Sequence, residues 1–203
     1  MGDMYHAGNR TLQDRFDTRR LADRLAERSA ERSREISDDD RAFIEARDMF
    51  FLATADAEGQ PNCSYKGGDP GFVRVLDGNT VAFPLYDGNG MFLSAGNTLV
   101  NPHVGLLFID FEGQRRLRLN GEASVDPADP LLTDYPGAQF VVRVHARKIF
   151  SNCPRYIHKY RLVERSKYVP RDGQAPPIPE WKRSDWARDV LPPADPARDP
   201  TRR

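Results

Sequence analysis

The sequence predicts a mainly β (α+β) domain with a helical extension before it and a proline-rich tail after it. Apolar residues concentrate between Phe43 and Phe150, whereas both ends of the 203-residue chain are charged or rich in proline. The middle consists of short apolar runs separated by Gly- and Asp-rich turns, which favours an antiparallel β-barrel over alternating strands and helices. We therefore expect a helical extension over residues 1–36, a barrel over 37–163 and a tail over 164–203.

Two helices are expected ahead of the strands. Apolar residues recur near the helical period, at Leu12, Phe16, Leu21 and Leu25. This pattern predicts one amphipathic helix from about Thr11 to Arg34. Ser37 is followed by three aspartates, so a second helix should begin there, with its N–H groups capped and its positive end next to acids. That helix should end near Asp48.

Seven strands are predicted from apolar, β-branched and aromatic runs bounded by turn residues. They are Met49–Ala55, Pro61–Lys66, Phe72–Leu76, Thr80–Leu85, His103–Phe111, Arg115–Val125 and Phe140–Phe150. The first is so apolar that we expect both of its faces to be buried. A short helix is expected between Gly88 and Val100, and a loop from Asp126 to Gly137.

The composition excludes several classes of protein. Lys+Arg and Asp+Glu both number 30, so the charge does not support nucleic-acid binding. No apolar run approaches the ~20 residues of a membrane helix. Cys63 and Cys153 form no Cys-x-x-Cys pair and the four histidines lack metal-ligand spacing, so no metal site is expected. The first residues lack the apolar core of a secretory signal, so we expect a cytoplasmic protein with reduced thiols.

Two short segments carry features of an anion site. In the segment from Ser64 to Gly68, Lys66 offers a positive charge, Ser64 offers a hydroxyl, and two glycines let a ligand approach the backbone. Asp87-Gly-Asn-Gly90 leads into a predicted helix start, where free N–H groups favour phosphate. An ordinary strand end with a solvated lysine and an ordinary turn explain these short patterns as well.

The predicted sixth strand presents two arginines in line. Alternation places Arg116 and Arg118 on one face and Leu117 and Leu119 on the other, which should enter the core. Two such arginines suit a phosphate or a carboxylate. An exposed strand face is the more common role for this pattern.

The order of these strands, turns and short helix along the chain resembles that of the pyridoxamine 5'-phosphate oxidase-like, FMN-binding split-barrel family. The resemblance spans roughly Phe43 to Arg155, and it implies a split barrel that holds FMN in a cleft between the two chains of a homodimer and acts on a small molecule. It further implies which residues contact the cofactor. They are Ser64, Tyr65 and Lys66; Pro84, Tyr86, Gly88, Asn89, Ser94 and Asn97; Arg116 or Arg118; and Arg155 in the segment Cys153-Pro-Arg155.

The chain also departs from the true oxidases. They carry Arg-x-x-Leu-Leu-Lys on the second strand and Ser-Arg-Lys ahead of the helix, where this chain has Ser64-Tyr-Lys-Gly-Gly and Asn89-Gly-Met-Phe. Their C-terminal substrate-binding segment is not recognisable here. The chain therefore looks more like uncharacterised FMN-binding relatives, and pyridoxamine phosphate is not the expected substrate. No catalytic residue can be identified. The alternatives are a flavin-binding sensor or stress protein without turnover, and the same barrel holding deazaflavin or haem.

Two late features remain open at this stage. Cys153 would be reactive if Arg155 and a helix following it lowered the pKa of its thiol, although a buried, inert cysteine is more common. Trp181 and Trp186 are large apolar groups in a charged, Pro-rich tail. We expect them to dock on the barrel mouth or on a partner chain, because exposed tryptophans are costly.

Overall fold

The computed structural model describes residues 4–32, 35–199 and 201, and its contacts divide the chain into two compact units, one ending at Arg161 and the other beginning at Leu162. The first unit holds a seven-stranded sheet and four helices. The strands are β1 Met49–Ala55, β2 Pro61–Gly67, β3 Arg74–Val75, β4 Thr80–Tyr86, β5 His103–Asp110, β6 Arg115–Asp126 and β7 Ala138–Ser151. The helices are α1 Ala7–Arg15, α2 Arg19–Arg32, α3 Asp38–Glu45 and α4 Leu93–Val100, and a short 3-10 helix spans Pro130–Asp134.

The strands form one antiparallel sheet in the order β2-β1-β5-β6-β7-β4-β3. This confirms the predicted mainly β (α+β) class. The end strands β2 and β3 do not pair with each other, so hydrogen bonding does not close the barrel. The predicted third strand, Phe72–Leu76, is reduced to the two residues of β3, because a turn at Gly71 (φ 89°) and the hairpin from Leu76 to Thr80 constrain it on both sides.

An aromatic cluster forms the centre of the core. The ring of Phe50 packs edge-on against Phe83, with centroids 4.9 Å apart, and lies 5.2 Å from Phe108. All three side chains are fully buried. Because each ring contributes a few kcal/mol through burial and ring contacts, β1, β4 and β5 are held as a rigid frame for the loops at their ends.

The prediction that β1 is buried on both faces is wrong for the single chain. Phe50 and Leu52 point into the core, whereas Ala53 is exposed and Phe51 is half-buried. Successive side chains of a strand point to opposite faces, so one face stays outside the core however apolar the sequence is. An apolar face of β1 is therefore left uncovered by the described residues of the first unit.

The N-terminal extension is a helical hairpin rather than one helix. Asp17 adopts a left-handed backbone (φ 52°) between α1 and α2, which ends the first helix. Arg10 on α1 pairs with Asp23 on α2 at 2.6 Å, so the two helices fold back on each other. The end of the predicted helix, at Arg34, lies outside the described residues.

Helix α3 begins as predicted. The Ser37 hydroxyl accepts a hydrogen bond from the N–H of Asp40, and the Asp40 carboxylate accepts one from the Ser37 N–H. This capping box fixes the first turn. The helix ends at Glu45, three residues earlier than expected, since β1 begins at Met49.

The second unit contains two short 3-10 helices, Glu180–Arg183 and Pro196–Arg198, and one helical turn, α5 Asp185–Arg188. The Trp181 and Trp186 rings stack on each other, with centroids 5.9 Å apart and planes 15° apart. Lys182 forms a buried ion pair with Asp195 at 2.8 Å. Docking of the tryptophans on the barrel or on a partner stays a prediction. Across the described parts of both units, no helix is long and apolar enough to span a membrane.

Candidate functional site

A groove of about 350 Å³ lies where β2, the end of β4 and the start of α4 meet. We call it the Lys66 groove. Six of the residues predicted for the cofactor line it: Ser64, Lys66, Tyr86, Gly88, Asn89 and Ser94. The two sequence segments with anion-binding features thus face each other across one groove.

Lys66 and two serines form its polar centre. The Lys66 Nζ donates a hydrogen bond to the Ser94 Oγ at 3.3 Å, and the Ser64 and Ser94 hydroxyl oxygens lie 3.0 Å apart. Because side chains alternate along β2, Ser64 and Lys66 point into the groove while Tyr65 between them is exposed.

The Lys66 ammonium lacks a counter-charge. Burial lowers the pKa of Lys66, because removing water disfavours its charged form. Within the described part of the chain, no carboxylate forms an ion pair with it. A bound anion would therefore restore to this amine the stabilisation that burial removes.

The start of α4 adds free backbone donors. The residue before the helix, Phe92, has a left-handed backbone (φ 49°) and gives no side-chain cap. The first N–H groups of α4 thus have no side-chain acceptor, and they carry the partial positive charge of a helix N-terminus. Asn89 orders the approach to the helix, since its Oδ1 accepts a hydrogen bond from the Met91 N–H at 3.0 Å.

Three predicted contact residues do not line the groove. The Asn97 amide donates to the Thr54 hydroxyl at 3.0 Å and so ties α4 to β1. Pro84 is buried within β4 opposite Val141. Tyr65 lies on the other face of β2, with its ring edge-on to Phe51. Asn97 and Pro84 hold the groove in place within this chain.

The three predicted arginines also lie away from the groove. Arg116 lines a second cavity of about 610 Å³, which we call the Arg116 cavity, between the start of α3, the start of β6 and the end of β7. Arg118 is exposed on β6. Arg155 donates through its Nε to the Cys153 Sγ at 3.1 Å. The predicted alternation on β6 is confirmed, since Leu117 and Leu119 are buried.

The thiol of Cys153 is exposed rather than buried. Hydrogen bonds from Arg155 lower the pKa of Cys153. The helix expected after this cysteine is absent, because residues 152–160 form a turn and extended chain in which Tyr156 has a φ of 70°. Arg155, with a smaller contribution from the charge of Arg116, therefore lowers the pKa of the thiol without a helix.

Sequence reasoning missed Asn62 and Leu93, which line the Lys66 groove, and Asn152, which lines the Arg116 cavity. Alternation on β2 could have identified Asn62, which is two residues before Ser64. No local signal marks Asn152. Nowhere in the described ranges do three His, Cys, Asp or Glu side chains come together as metal ligands.

The antiparallel sheet defines a protein of the split-barrel class, and a groove lined by Lys66 lies at the start of a short helix. The sequence profile of the pyridoxamine 5'-phosphate oxidase family matches residues 36–165, well over half of the chain. The chain belongs to this family.

Solved structures give more distant likenesses. HupZ from Group A Streptococcus is 21% identical, with 57% of this chain and 93% of that chain covered and a TM-score of 0.47. An FMN-binding protein from Syntrophomonas wolfei is 12% identical, with 66% and 94% covered and a TM-score of 0.46. HutZ, the haem storage protein from Vibrio cholerae, is 22% identical, with 57% and 94% covered and a TM-score of 0.41. No curated protein matches the chain.

Proposed function

We propose that this chain is an FMN-binding flavoprotein that works as an oxidoreductase on a small molecule. The observation that carries the proposal is the half-buried, unpaired Lys66 ammonium, hydrogen-bonded to Ser94 in a groove at the start of α4. The FMN phosphate is a doubly charged anion with several acceptor oxygens. It suits one ammonium, two hydroxyls and the free N–H groups of a helix start.

Each residue has a defined part in this proposal. Lys66 and Ser94 hold the phosphate, and Ser64 orients the Ser94 hydroxyl. Asn89 fixes the loop that leads into α4, and Tyr86 borders the groove as a partly buried side chain. FMN supplies the redox chemistry at its N5 atom, and the protein supplies binding, orientation and exclusion of water.

We further propose a homodimer. The uncovered face of β1 continues onto β5, because Phe51 pairs with Leu107 and Ala53 with Gly105. These residues make an apolar surface two strands wide, of the kind that a second chain covers. Such an arrangement brings Arg118 of each chain, which lies on β6 and pairs with Leu107 on β5, to the same surface. Sedimentation of the flavin-loaded protein tests this, and a stable flavin-loaded monomer would contradict it.

Deazaflavin, as another phosphate-bearing flavin, fits the same features of the groove. Haem is less suited, since none of the described residues lining the groove is a histidine that could serve as an axial ligand. We take FMN as the first choice.

An absorption spectrum of the purified protein tests the cofactor. We expect the near-ultraviolet and blue bands of oxidised flavin, and mass spectrometry of the released compound should identify FMN. A Soret band, or a protein that takes up no FMN from solution, would contradict the proposal. Bleaching of the flavin by a reductant and its return with an acceptor, over many turnovers, would separate an enzyme from a storage or sensor protein.

A further inference from the structure

The Arg116 cavity contains two buried polar atoms without partners. Among the side chains of the described residues, three buried nitrogen or oxygen atoms lack a hydrogen bond, and two of them are the Arg116 Nε and the Asn152 Oδ1. Both residues line this cavity. Unpaired buried polar groups are rare in folded proteins, and each one calls for an explanation. Here a donor without an acceptor and an acceptor without a donor belong to residues that line the same cavity.

The arginines of this cavity are held in place without an acidic partner. The Arg116 Nη2 donates to the Cys153 carbonyl at 2.9 Å, which fixes the guanidinium. The Arg115 guanidinium lies over the Phe43 ring, 4.9 Å from its centroid. Neither arginine forms an ion pair with a carboxylate of the described chain, and the nearby Asp40 is bound to the Ser37 hydroxyl at 2.8 Å. A fixed guanidinium with a free N–H is suited to a carboxylate.

The rest of the lining is mixed: Ser37, Asp39, Asp40, Gln114 and Ser151 are polar, and apolar side chains make up the remainder. Phe43, Leu117 and Ile149 are all buried and contribute to the wall. Apolar side chains beside placed polar groups are typical of a small-molecule site. The ligand should therefore have an apolar body as well as a charged end.

We propose that the Arg116 cavity is a second binding site, distinct from the Lys66 groove, for a small carboxylate that also carries a hydrogen-bond donor. The carboxylate accepts from the Arg116 Nε–H, and the donor, a hydroxyl or an amino group, binds the Asn152 Oδ1. The apolar body lies against Phe43 and Ile149. This inference does not depend on the flavin proposal, because it uses other residues of the chain.

Three probes that differ by one group each test the proposal: 3-hydroxybenzoate, benzoate and 3-hydroxybenzyl alcohol. The readout is the NMR signal of the Arg116 Nε–H group, assigned by its loss in Arg116→Gln. We expect 3-hydroxybenzoate to shift this signal and to saturate it. Benzoate should bind about fivefold more weakly because it lacks the donor, and the alcohol about tenfold more weakly because it lacks the charge.

Two variants and one control test whether 3-hydroxybenzoate binds in the Arg116 cavity. Arg116→Gln should weaken 3-hydroxybenzoate by about tenfold, and Asn152→Asp should do the same by placing a negative charge next to the carboxylate. Lys148→Gln removes a positive charge from β7 outside this cavity and should leave the affinity unchanged. Thermal melts of each variant confirm that it is folded, and Asn152→Asp keeps the test valid if Arg116→Gln does not fold.

Three outcomes would overturn the proposal. The first is no shift of the Arg116 signal with any probe, which would mean that water alone fills the cavity. The second is equal affinity for all three probes or an equal loss in Lys148→Gln, which would indicate unspecific attraction. The third is competition between 3-hydroxybenzoate and FMN, which would make the cavity part of the flavin site.

Discussion

The Lys66 groove and the Arg116 cavity both place a cation among partly buried polar groups, but they satisfy that cation differently. Lys66 lies against a serine hydroxyl near the first N–H groups of α4, and these polar groups can donate hydrogen bonds to a phosphate. Arg116 is fixed by one carbonyl and keeps an unpaired Nε, and Asn152 of the same cavity keeps an unpaired amide oxygen. The first site is suited to a multiply charged anion, and the second to a ligand with one acceptor and one donor.

The largest expected effect is a loss of stability on replacing Phe43, a residue that belongs to the Arg116 cavity and not to the Lys66 groove. This side chain is buried, lies under Arg47 and Arg115, and lines only the Arg116 cavity. Phe43→Ala should lower the free energy of unfolding by about 3–5 kcal/mol, because it leaves a void under two guanidinium groups. Urea denaturation measures the loss. Tyr156→Ala, at a ring that is 91% exposed, should change the stability by less than about 0.5 kcal/mol.

The Phe43→Ala variant also tests whether the two regions are independent. Where it remains folded, its affinity for FMN should equal that of the original chain, because Phe43 does not contribute to the Lys66 groove. A parallel loss of FMN affinity in the folded variant would show that the two regions act as one site.

The next effect is the pH dependence of FMN binding, which should arise from Lys66 in the Lys66 groove. Burial lowers the pKa of Lys66 in the free protein, so its ammonium loses the proton at a lower pH than an ordinary lysine. Phosphate binds the charged form, and its affinity should therefore fall as the pH rises through the alkaline range, beginning below the pH of about 10.4 at which an ordinary lysine deprotonates, by up to about tenfold per unit once the amine is neutral. Titrations across this range measure it. In Lys66→Arg the fall should disappear, because arginine stays charged.

Cys153 gives a smaller effect near the Arg116 cavity. Its thiol has a lowered pKa because of hydrogen bonds from Arg155, so alkylation by iodoacetamide should reach half of its maximal rate at a lower pH than for an ordinary cysteine. Arg155→Gln should raise the pKa of Cys153 and move that midpoint to higher pH. Cys63 on β2, in the same molecule, is the internal control. An unchanged midpoint for Cys153 would remove Arg155 as the cause.

Ser94→Ala should have the smallest effect on the groove. The variant removes one hydroxyl that accepts from Lys66, which is worth about 0.5–1.5 kcal/mol, or a loss of about three- to tenfold in FMN affinity. Thr98→Ala on the same helix is a matched control, because the Thr98 hydroxyl donates to the Ala95 carbonyl instead. Equal losses in the two variants would point to damage of α4 rather than to a lost phosphate contact.

The features that the sequence predicted correctly are those that depend on residues close together in the chain. Alternation of apolar and polar side chains located Leu117 and Leu119 in the core, and the serine followed by aspartates located the start of α3. The positions of Ser64 and Lys66 on one face of β2 follow from the same alternation. These features need only a period of two or a local cap.

What the sequence did not predict depends on tertiary arrangement. The Arg116 cavity combines α3, β6 and the residue Asn152, which are far apart along the chain, and no local pattern records that they meet. The break at Asp17 rests on a single left-handed residue that is not a glycine, so the amphipathic pattern continues through it. The uncovered face of β1 has the composition of a core, and only packing shows that this chain leaves it open.

The most direct test of the central claim is an equilibrium titration of the apoprotein with FMN, followed by quenching of flavin fluorescence, in Lys66→Ala and in the control Lys148→Ala. Lys66 supplies the charge that the phosphate needs, and a charge-assisted hydrogen bond contributes roughly 1.5–3 kcal/mol. We predict that Lys66→Ala binds FMN about tenfold or more weakly, with little change for riboflavin, which lacks the phosphate, and none in Lys148→Ala. Equal FMN affinity in the original chain and in Lys66→Ala would contradict the assignment of the Lys66 groove as the phosphate site.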